Sequence, residues 1–277
     1  MRLLLSLLIL VVFAPSVLAY GSCPCGGTCP FCAPGDGLPY APSDGPITYR
    51  VQSRWPQPNG PGSPVTLSYS YNNLLDGGLR GPDGVPLSED YLRAAVEEAL
   101  GLWASVAPLH FVEVPDQYDS PAPTFAYANG QFGQIRFHHR FINGPDPVAG
   151  SPTTKAIAYF PSSSGNLAGD VFYDNGDPWQ PIGELSTPDP LGAAVHELGH
   201  SLGLGHDSNP DANMYWVFTR SSGLGTASLH PSDIAGIRAI YGAGVGSVTP
   251  LLAVPEPASA CLLAFAASVV AGRRRVR

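Results

Sequence analysis

Charged side chains are scarce in this sequence of 277 residues, in which Asp, Glu, Lys and Arg make up only 13% of the total. Soluble domains usually carry about 25%. Internal repeats and heptads are also missing. Basic residues are the rarer sign, 14 against 22 acidic residues, and the formal net charge is −8. This shortage of positive charge argues against nucleic acid as a partner, because phosphate backbones are bound through clustered Lys and Arg.

The segment 1–19 has the layout of a cleaved secretory signal. Arg2 precedes a long apolar run that ends at the small residues Val17 and Ala19, so we expect signal peptidase to cut after Ala19. The alternative is a membrane anchor that stays in place, but Pro15 interrupts the apolar run and no basic stop follows it. The sequence therefore predicts an exported protein.

Residues 254–277 form a second apolar segment with its own flanks. The letters "VPEP" precede an apolar stretch from 258 to 272, and an arginine cluster at 273–275 follows it. The stretch is short for a membrane-spanning helix, which needs about 20 apolar residues, and the arginines would hold its end in the cytoplasm. This order resembles the PEP-CTERM sorting signal of Gram-negative bacteria. The resemblance implies export to the cell surface or the medium, transient anchoring by a short transmembrane helix and removal by an exosortase-type enzyme. The alternative is a permanent tail anchor.

Between these ends lie roughly 230 residues, enough for one domain with a sizeable core. Nine basic and 21 acidic residues remain in this part, so its formal charge is −12. The chain contains 32 glycines and 30 prolines, which predict many turns and loops. The stretch from 33 to about 64 has no periodicity and predicts a linker or an ordered wrap along the domain surface. We place the Cys-rich leader and linker at 20–63 and the domain at 64–245.

Four of the five cysteines cluster in the leader, within "CPCGGTCPFC". They are Cys23, Cys25, Cys29 and Cys32. In an oxidising compartment we expect two disulfides, whose pairing the spacing does not fix. The alternative is a small metal-binding knot, although the spacing has one Cys-x-x-Cys and no second pair at zinc-finger distance.

Residue patterns in the domain predict five strands and three helices. The strands are expected at 64–71, 109–114, 134–139, 156–161 and 170–174. The predicted helix ends are Ser88 as the cap of the first helix, Asp189 and Pro190 at the start of the second, and His230 and Gly242 at the two ends of the third. Strands and helices follow each other in runs rather than in strict alternation, which predicts an α+β domain.

The stretch "HELGHSLGLGH" at 196–206 holds three of the seven histidines. His196 and His200 are four residues apart, so on a helix their imidazoles stand one above the other and can bind one zinc ion. Glu197 lies about 100° round the helix from His196, beside the metal, where a general base belongs. Gly203 can adopt a left-handed conformation that ends the helix, and His206 then returns as the third ligand.

The opposite side of the same helix carries an apolar stripe that we expect to pack on the sheet. It consists of Leu191, Ala194, Val195, Leu198 and Leu202. Three protein ligands on the other side leave one coordination position open for water, which is typical of catalytic rather than structural zinc sites. The motif therefore predicts a catalytic zinc with Glu197 as the base.

The complete pattern H-E-x-x-H-x-x-G-x-x-H, with Met214 after seven further residues, resembles the metzincin metallopeptidases and among them the matrixins. "LRAAVEEALGLWASVAPLHFVEV", "GDVFYDNGDPW" and "HPSDIAGIRAIYG" are also similar to matrixin segments, so the resemblance covers about 65–242. It implies a metzincin-like fold with a mixed, twisted, five-stranded sheet and three helices. It also implies a zinc-dependent endopeptidase that pairs an extended protein or peptide substrate with the strand near 156–160, and places Met214 beneath the ligands. We expect a monomer.

The sequence departs from the matrixin pattern next to the motif. Asp207 stands where matrixins usually have Ser, and Trp216 where they usually have Pro, so matrixin substrate preference does not carry over. A propeptide switch of the Pro-Arg-Cys-Gly type is missing. One leader cysteine would still be able to block the zinc as a thiolate, provided that it is not paired in a disulfide.

Matrixins have two further metal sites, a structural zinc site and a calcium site, and this sequence matches them to different extents. The resemblance aligns Tyr159 and Phe172 with histidines of a structural zinc site, so we expect that second zinc to be lost. Asp170, Asp174 and Asp177 lie where matrixins hold calcium, and oxygen ligands suit that cation. The partner loop "VAGSPTTK" lacks the family's aspartate, and the alternative is that these aspartates only solvate a turn.

The four histidines outside the motif have structural interpretations. His138 and His139 are adjacent in a strand and point to opposite faces, His110 is a half-buried strand residue, and His230 lies at a helix end.

A non-catalytic, zinc-containing extracellular matrix or adhesion protein is the rival interpretation, and an enzyme acting on a non-peptide bond is a third. Glu197 argues against the first rival, because a structural site has no use for a base.

Overall fold

The computed structural model describes residues 48–117, 131–145, 154–163, 167–182, 188–216 and 223–251. The predicted signal peptide, the four leader cysteines and the predicted sorting segment lie outside these residues. Among the described residues, no helix is both long enough and apolar enough to cross a membrane.

The described part of the domain contains three helices and eight strands. In chain order they are β1 (Arg50–Val51), β2 (Val65–Tyr71), α1 (Glu89–Ala104), β3 (Leu109–Glu113), β4 (Ile135–Arg140), β5 (Ala156–Ala158), β6 (Val171–Asp174), α2 (Pro190–Ser201), β7 (Leu204–Gly205), α3 (Pro231–Tyr241) and β8 (Ser247–Thr249).

Six of these strands form one mixed sheet in the order β5-β6-β4-β2-β3-β8. β5 runs antiparallel to β6, and the other neighbours are parallel. The predicted mixed sheet and three helices are therefore confirmed, but the predicted number of five strands was wrong. β8 was missed because so short a strand does not show a period. β8 pairs with β3, and the chain just before it approaches β3 closely. A side chain at Gly246 would collide with the carbonyl oxygen of Leu109.

The helices begin where the sequence predicted. The Ser88 side chain accepts a hydrogen bond from the backbone of Tyr91, and Asp189 accepts one from Gly192 at 2.6 Å. His230 is the N-cap of α3, where Asp233 completes a capping box. These caps satisfy amide groups that the first turn of a helix leaves without partners.

α2 is buried along its whole length, on both its apolar and its histidine side. It packs against α1 as well as against the sheet, and the Trp103 indole of α1 donates a hydrogen bond to the carbonyl oxygen of Val195 at 3.0 Å. Tyr173 of β6 lies at the start of the helix, with its hydroxyl 3.5 Å from the Pro190 oxygen. The helix that carries the histidine motif is thus held rigidly from several sides.

Residues 48–55 wrap along the domain beside the end of α2. β1 pairs antiparallel with β7, and the amide of Gln52 donates to the Gly203 oxygen at 2.8 Å. Trp55 is 7% exposed, and its indole donates to the Ser201 oxygen at 2.9 Å. This N-terminal strap therefore supports the turn that leads out of the helix.

Candidate metal centre

Three histidines converge at the C-terminal half of α2. His196 and His200 lie on successive turns of the helix, and His206 follows β7. Their nearest ring nitrogens all lie within 4.8 Å of one another. In the part of the chain that the structure describes, no other group of three or more His, Cys, Asp or Glu side chains is close enough to bind one metal ion. The predicted ligand set is thus brought together by the fold.

The orientation of two rings is set by backbone carbonyl groups. His196 Nδ1 lies 2.6 Å from the Asn213 oxygen, and His200 Nδ1 lies 2.7 Å from the Leu204 oxygen. A carbonyl only accepts, so each Nδ1 carries the proton and each Nε2 presents a lone pair. The two Nε2 atoms are 3.1 Å apart. Two lone pairs at this distance repel unless a cation lies between them, and neutral imidazoles suit zinc, so these residues fit the metal.

Burial keeps the ligand histidines neutral. Desolvation, followed by the neighbouring His200, lowers the pKa of His196 well below its usual value. Burial likewise lowers the pKa of His200 to about 4 and, together with the charge of Arg50, lowers the pKa of His206. Only the neutral imidazole binds a metal ion, so the environment prepares these side chains as ligands.

Gly203 makes the turn between the second and third histidines. Its φ angle is +107°, and a side chain there would collide with the carbonyl oxygen of Ser53 in the strap. Its amide donates to the His200 oxygen at 2.9 Å and closes the end of the helix. The sequence prediction of a left-handed glycine is confirmed. The strap is a second reason for glycine at this position, because only a residue without Cβ allows the Ser53 carbonyl group to approach so closely.

Met214 lies beneath the ligand helix and is 1% exposed. A side chain at Gly199 would overlap with its sulfur atom, so the thioether packs directly on the helix between the ligand turns. The Asp207 amide donates to the Met214 oxygen at 2.7 Å, which ties this turn to the third ligand. Met214 therefore forms an apolar floor, as the resemblance implied.

Sequence reasoning missed Asp233, which holds the same turn from α3. Its carboxylate accepts hydrogen bonds from the amides of Asn213 and Met214 at 2.8 and 3.0 Å. Asn213 in turn presents its carbonyl oxygen to His196. An acidic residue in the first turn of a helix signals a cap, but nothing local in the sequence signals a contact with a turn outside that helix.

Glu197 is buried next to the ligands, with 4% of its surface exposed. Burial raises the pKa of Glu197 to about 8, because a low-dielectric environment disfavours the charged carboxylate. A carboxyl group whose pKa is raised in this way is suited to accept and return a proton near neutral pH.

Comparison with known proteins agrees with this geometry. The sequence profile of the matrixin peptidases matches residues 81–242, more than half of the chain. The chain belongs to the matrixin family. It is 37% identical over 169 residues to matrix metalloproteinase-C of Caenorhabditis elegans, which covers 58% of this chain and 26% of that protein.

Two human relatives give similar values. Matrilysin is 33% identical over 147 residues, which are 53% of this chain and 49% of matrilysin. Stromelysin-3 is 32% identical over 209 residues, which are 75% of this chain and 37% of stromelysin-3. This matrixin therefore spans half or less of the length of these relatives.

The two departures next to the motif have different environments in this matrixin. Asp207 is 3% exposed and accepts a hydrogen bond from the Asn209 amide at 2.8 Å, whereas Trp216 is 60% exposed. The ring of Tyr215 lies 5.5 Å from that of Trp216. The residues after Trp216, 217–222, lie outside the described part of the chain.

The three aspartates named as candidate calcium ligands have separate protein partners. Asp170 lies 3.3 Å from His138, Asp177 binds Lys155 at 2.8 Å, and Asp174 accepts bonds from the amides of residues 142–144. None is more than 3% exposed, so the alternative of a solvated turn is wrong. Calcium binding stays a prediction, and these contacts give the carboxylates another structural role.

Two aromatic residues of this matrixin stand at the positions that the resemblance aligned with ligands of a structural zinc. Tyr159 and Phe172 lie edge-to-face, with ring centroids 6.1 Å apart, and His138 stacks on Phe172 at 4.5 Å. His139, on the other face of β4, binds Asp76 at 2.7 Å. The loss of a second zinc stays a prediction, which Tyr159 and Phe172 support because neither side chain is a usual zinc ligand.

Proposed function

We propose that this matrixin is an exported zinc-dependent endopeptidase. The observation that carries the proposal is a buried glutamate, Glu197, beside three neutral histidines whose nitrogens converge. A closed structural site would use a fourth protein ligand, whereas three histidines leave one position for water.

His196, His200 and His206 would hold the zinc, which supplies Lewis acidity toward a water molecule and the scissile carbonyl group. Glu197 accepts the proton of the attacking water and returns it to the leaving amine. Met214 and the carbonyl groups of Asn213 and Leu204 keep the ligand rings in place.

The edge strand β5 is suited to bind an extended peptide. The Lys155 oxygen accepts a hydrogen bond from the Asp174 amide of β6, and the Tyr159 amide donates to the oxygen of Asp170, the residue before β6. Alternate residues of this segment therefore face β6. The backbone groups of Ala156, Ala158 and Phe160 therefore face away from β6, toward the edge of the described sheet. A substrate strand added there would obtain main-chain hydrogen bonds without a requirement for sequence.

Export and processing belong to the same proposal and rest on the sequence. The signal-like segment at 1–19 and the PEP-CTERM-like segment at 254–277 favour signal peptidase and an exosortase-type enzyme as processing partners. The protein would act at the cell surface or outside a Gram-negative cell, as a monomer on protein or peptide substrates. Intact-mass analysis of exported material that still contains the terminal arginines would contradict this processing.

The Glu197→Gln variant tests the peptidase proposal. We expect it to keep about one zinc per chain by elemental analysis, because Glu197 is not a ligand. It should lose peptide cleavage by about 100-fold or more, the usual contribution of a positioned general base. Glu89→Gln, at an exposed glutamate of α1, is the matched control and should retain the parent rate on casein and on a peptide library. Cleavage at the parent rate by Glu197→Gln would refute the mechanism.

A further inference from the structure

Phe160 places an aromatic ring beside the second ligand histidine. Its ring lies edge-on to that of His200, with centroids 5.5 Å apart and an interplanar angle of 77°. The preceding residue, Tyr159, contacts Phe172 on the other face of the sheet. Successive side chains of an extended strand alternate between faces, so Phe160 is directed to the side of the metal centre. It is only half-buried there.

The backbone around Phe160 is fixed by hydrogen bonds on both sides. Tyr159 donates to the Asp170 oxygen at 3.0 Å, and the Phe160 oxygen accepts from Ser163 at 2.9 Å. The amide of Ser162 donates to the Ser53 hydroxyl of the strap at 3.4 Å. The ring is therefore presented by a turn that is anchored to both β6 and the strap, and this makes it a preorganised apolar surface.

A peptide on β5 would pass this surface at a defined point. Antiparallel pairing is the more stable arrangement, and a peptide that runs antiparallel to β5 has its N-terminal part at the Phe160 end of the strand. We propose that Phe160 is a specificity-determining residue of this matrixin, which favours substrates with a large apolar or aromatic side chain on the N-terminal side of the scissile bond. The proposal rests on the peptidase function proposed above.

The physical reason is the apolar surface that remains available on the ring. A Leu or Phe side chain of the substrate would bury the exposed part of Phe160, while a small or charged side chain would not. Aromatic rings prefer edge-to-face or offset contacts, and the ring is already held edge-on to His200. Its contribution depends on the side chain and not on the peptide backbone, so it affects selectivity more than general binding.

The test compares the zinc-loaded full chain with Phe160→Ala and Phe160→Leu on a peptide library randomised before and after the cleaved bond. The expected result for Phe160→Ala is a loss of about tenfold in kcat/KM for peptides with Leu or Phe on the N-terminal side, relative to peptides with Ala there. Phe160→Leu should lose less. Phe141→Ala is the matched control, since Phe141 is 66% exposed and follows β4 at the other end of the sheet.

A second readout does not depend on turnover. In the Glu197→Gln background, peptides that end at the scissile bond should bind more weakly after Phe160→Ala, measured by calorimetry, while zinc content and melting temperature stay unchanged. Loss of zinc from Phe160→Ala would show that the ring only supports His200, and would overturn the proposal. A lost preference on the C-terminal side of the bond would overturn the assigned direction.

The outcomes separate the two proposals. If the parent cleaves peptides and Phe160→Ala keeps the same selectivity, the role of Phe160 is refuted and the peptidase function stands. If the parent neither cleaves nor binds any library peptide, the peptidase function fails and the role of Phe160 fails with it.

Discussion

Buried histidines on opposite faces of the sheet use their nitrogens in different ways. At the metal centre, backbone oxygens engage Nδ1 of His196 and His200 and leave both Nε2 atoms directed at one point. On the opposite face of the sheet, called the outer face below, His138 Nδ1 lies 3.1 Å from the Asn72 oxygen and its Nε2 lies 3.3 Å from the Asp170 carboxylate. Burial alone therefore does not identify a metal ligand. The deciding feature is whether ring nitrogens of several histidines converge on one point, as those of His196, His200 and His206 do.

The outer face also compensates its charges within the protein. Arg136 binds Asp116 through two hydrogen bonds of 2.8 and 3.0 Å and lies 3.9 Å from Asp170. Asn72 donates to Asp116 at 3.2 Å and so presents its oxygen to His138. Arg136 thus places a positive charge beside both of these buried carboxylates.

Removal of a metal ligand should have the largest effect on zinc content and peptide cleavage. A small effect would contradict the comparison between the two faces of the sheet. We expect His206→Ala to lose bound zinc and to lower peptide cleavage by more than about 100-fold, a larger effect than loss of a residue that only orients a ligand. His138→Ala is the control, and it should retain about one zinc per chain despite its burial. Elemental analysis measures the zinc content of the two variants, and a peptide assay measures their cleavage rates. Equal loss of zinc from the two variants would contradict the distinction.

Asp233→Asn should have an intermediate effect on the metal centre. The variant removes a carboxylate oxygen that accepts from Asn213 or Met214, so we expect the free energy of unfolding to fall by about 1–3 kcal/mol. Zinc affinity should fall by about 10- to 100-fold, because Asn213 orients His196. Competition with a chelator and urea denaturation measure the two effects. Asp211→Asn, at an exposed aspartate nearby, is the control, and the prediction fails if the two variants behave alike.

The smallest expected effect is a pH dependence of stability that comes from His138. Burial lowers the pKa of His138 and outweighs Asp170, which raises it; Arg136 lowers it further and Asp116 raises it. Below a pH of about 6.5, the ordinary pKa of histidine, the unfolded chain therefore binds more protons at this residue than the folded chain. The free energy of unfolding falls as the pH decreases toward the folded pKa, by at most about 1.4 kcal/mol per pH unit.

The His138→Gln variant isolates this contribution, because glutamine does not titrate. Urea denaturation between pH 5 and 8 should show a smaller slope for His138→Gln than for the parent. His110→Gln changes a half-buried histidine of β3 and serves as the control. An unchanged slope in His138→Gln would mean that His138 titrates in the folded protein as it does in the unfolded chain.

The predictions that held depend on short-range patterns. Ser88, Asp189 and His230 begin helices because a side chain can cap backbone amides that follow it closely in the chain. The predictions that failed concern partners distant in sequence. β8 pairs with β3, although most of the domain lies between these two strands in the chain. The separate partners of Asp170, Asp174 and Asp177 are likewise not visible in the spacing of these residues.

By itself, the sequence determined the helix that carries His196, Glu197 and His200, because helical periodicity fixes which side chains share a face. It also determined that a glycine must turn the chain before His206, since the conformation there excludes a side chain. Only the tertiary structure decided which nitrogens stay available to a metal. That choice depends on the backbone oxygens of Leu204, which lies four residues after His200, and of Asn213. The turn that carries Asn213 meets the helix only after the distant Asp233 has packed against it.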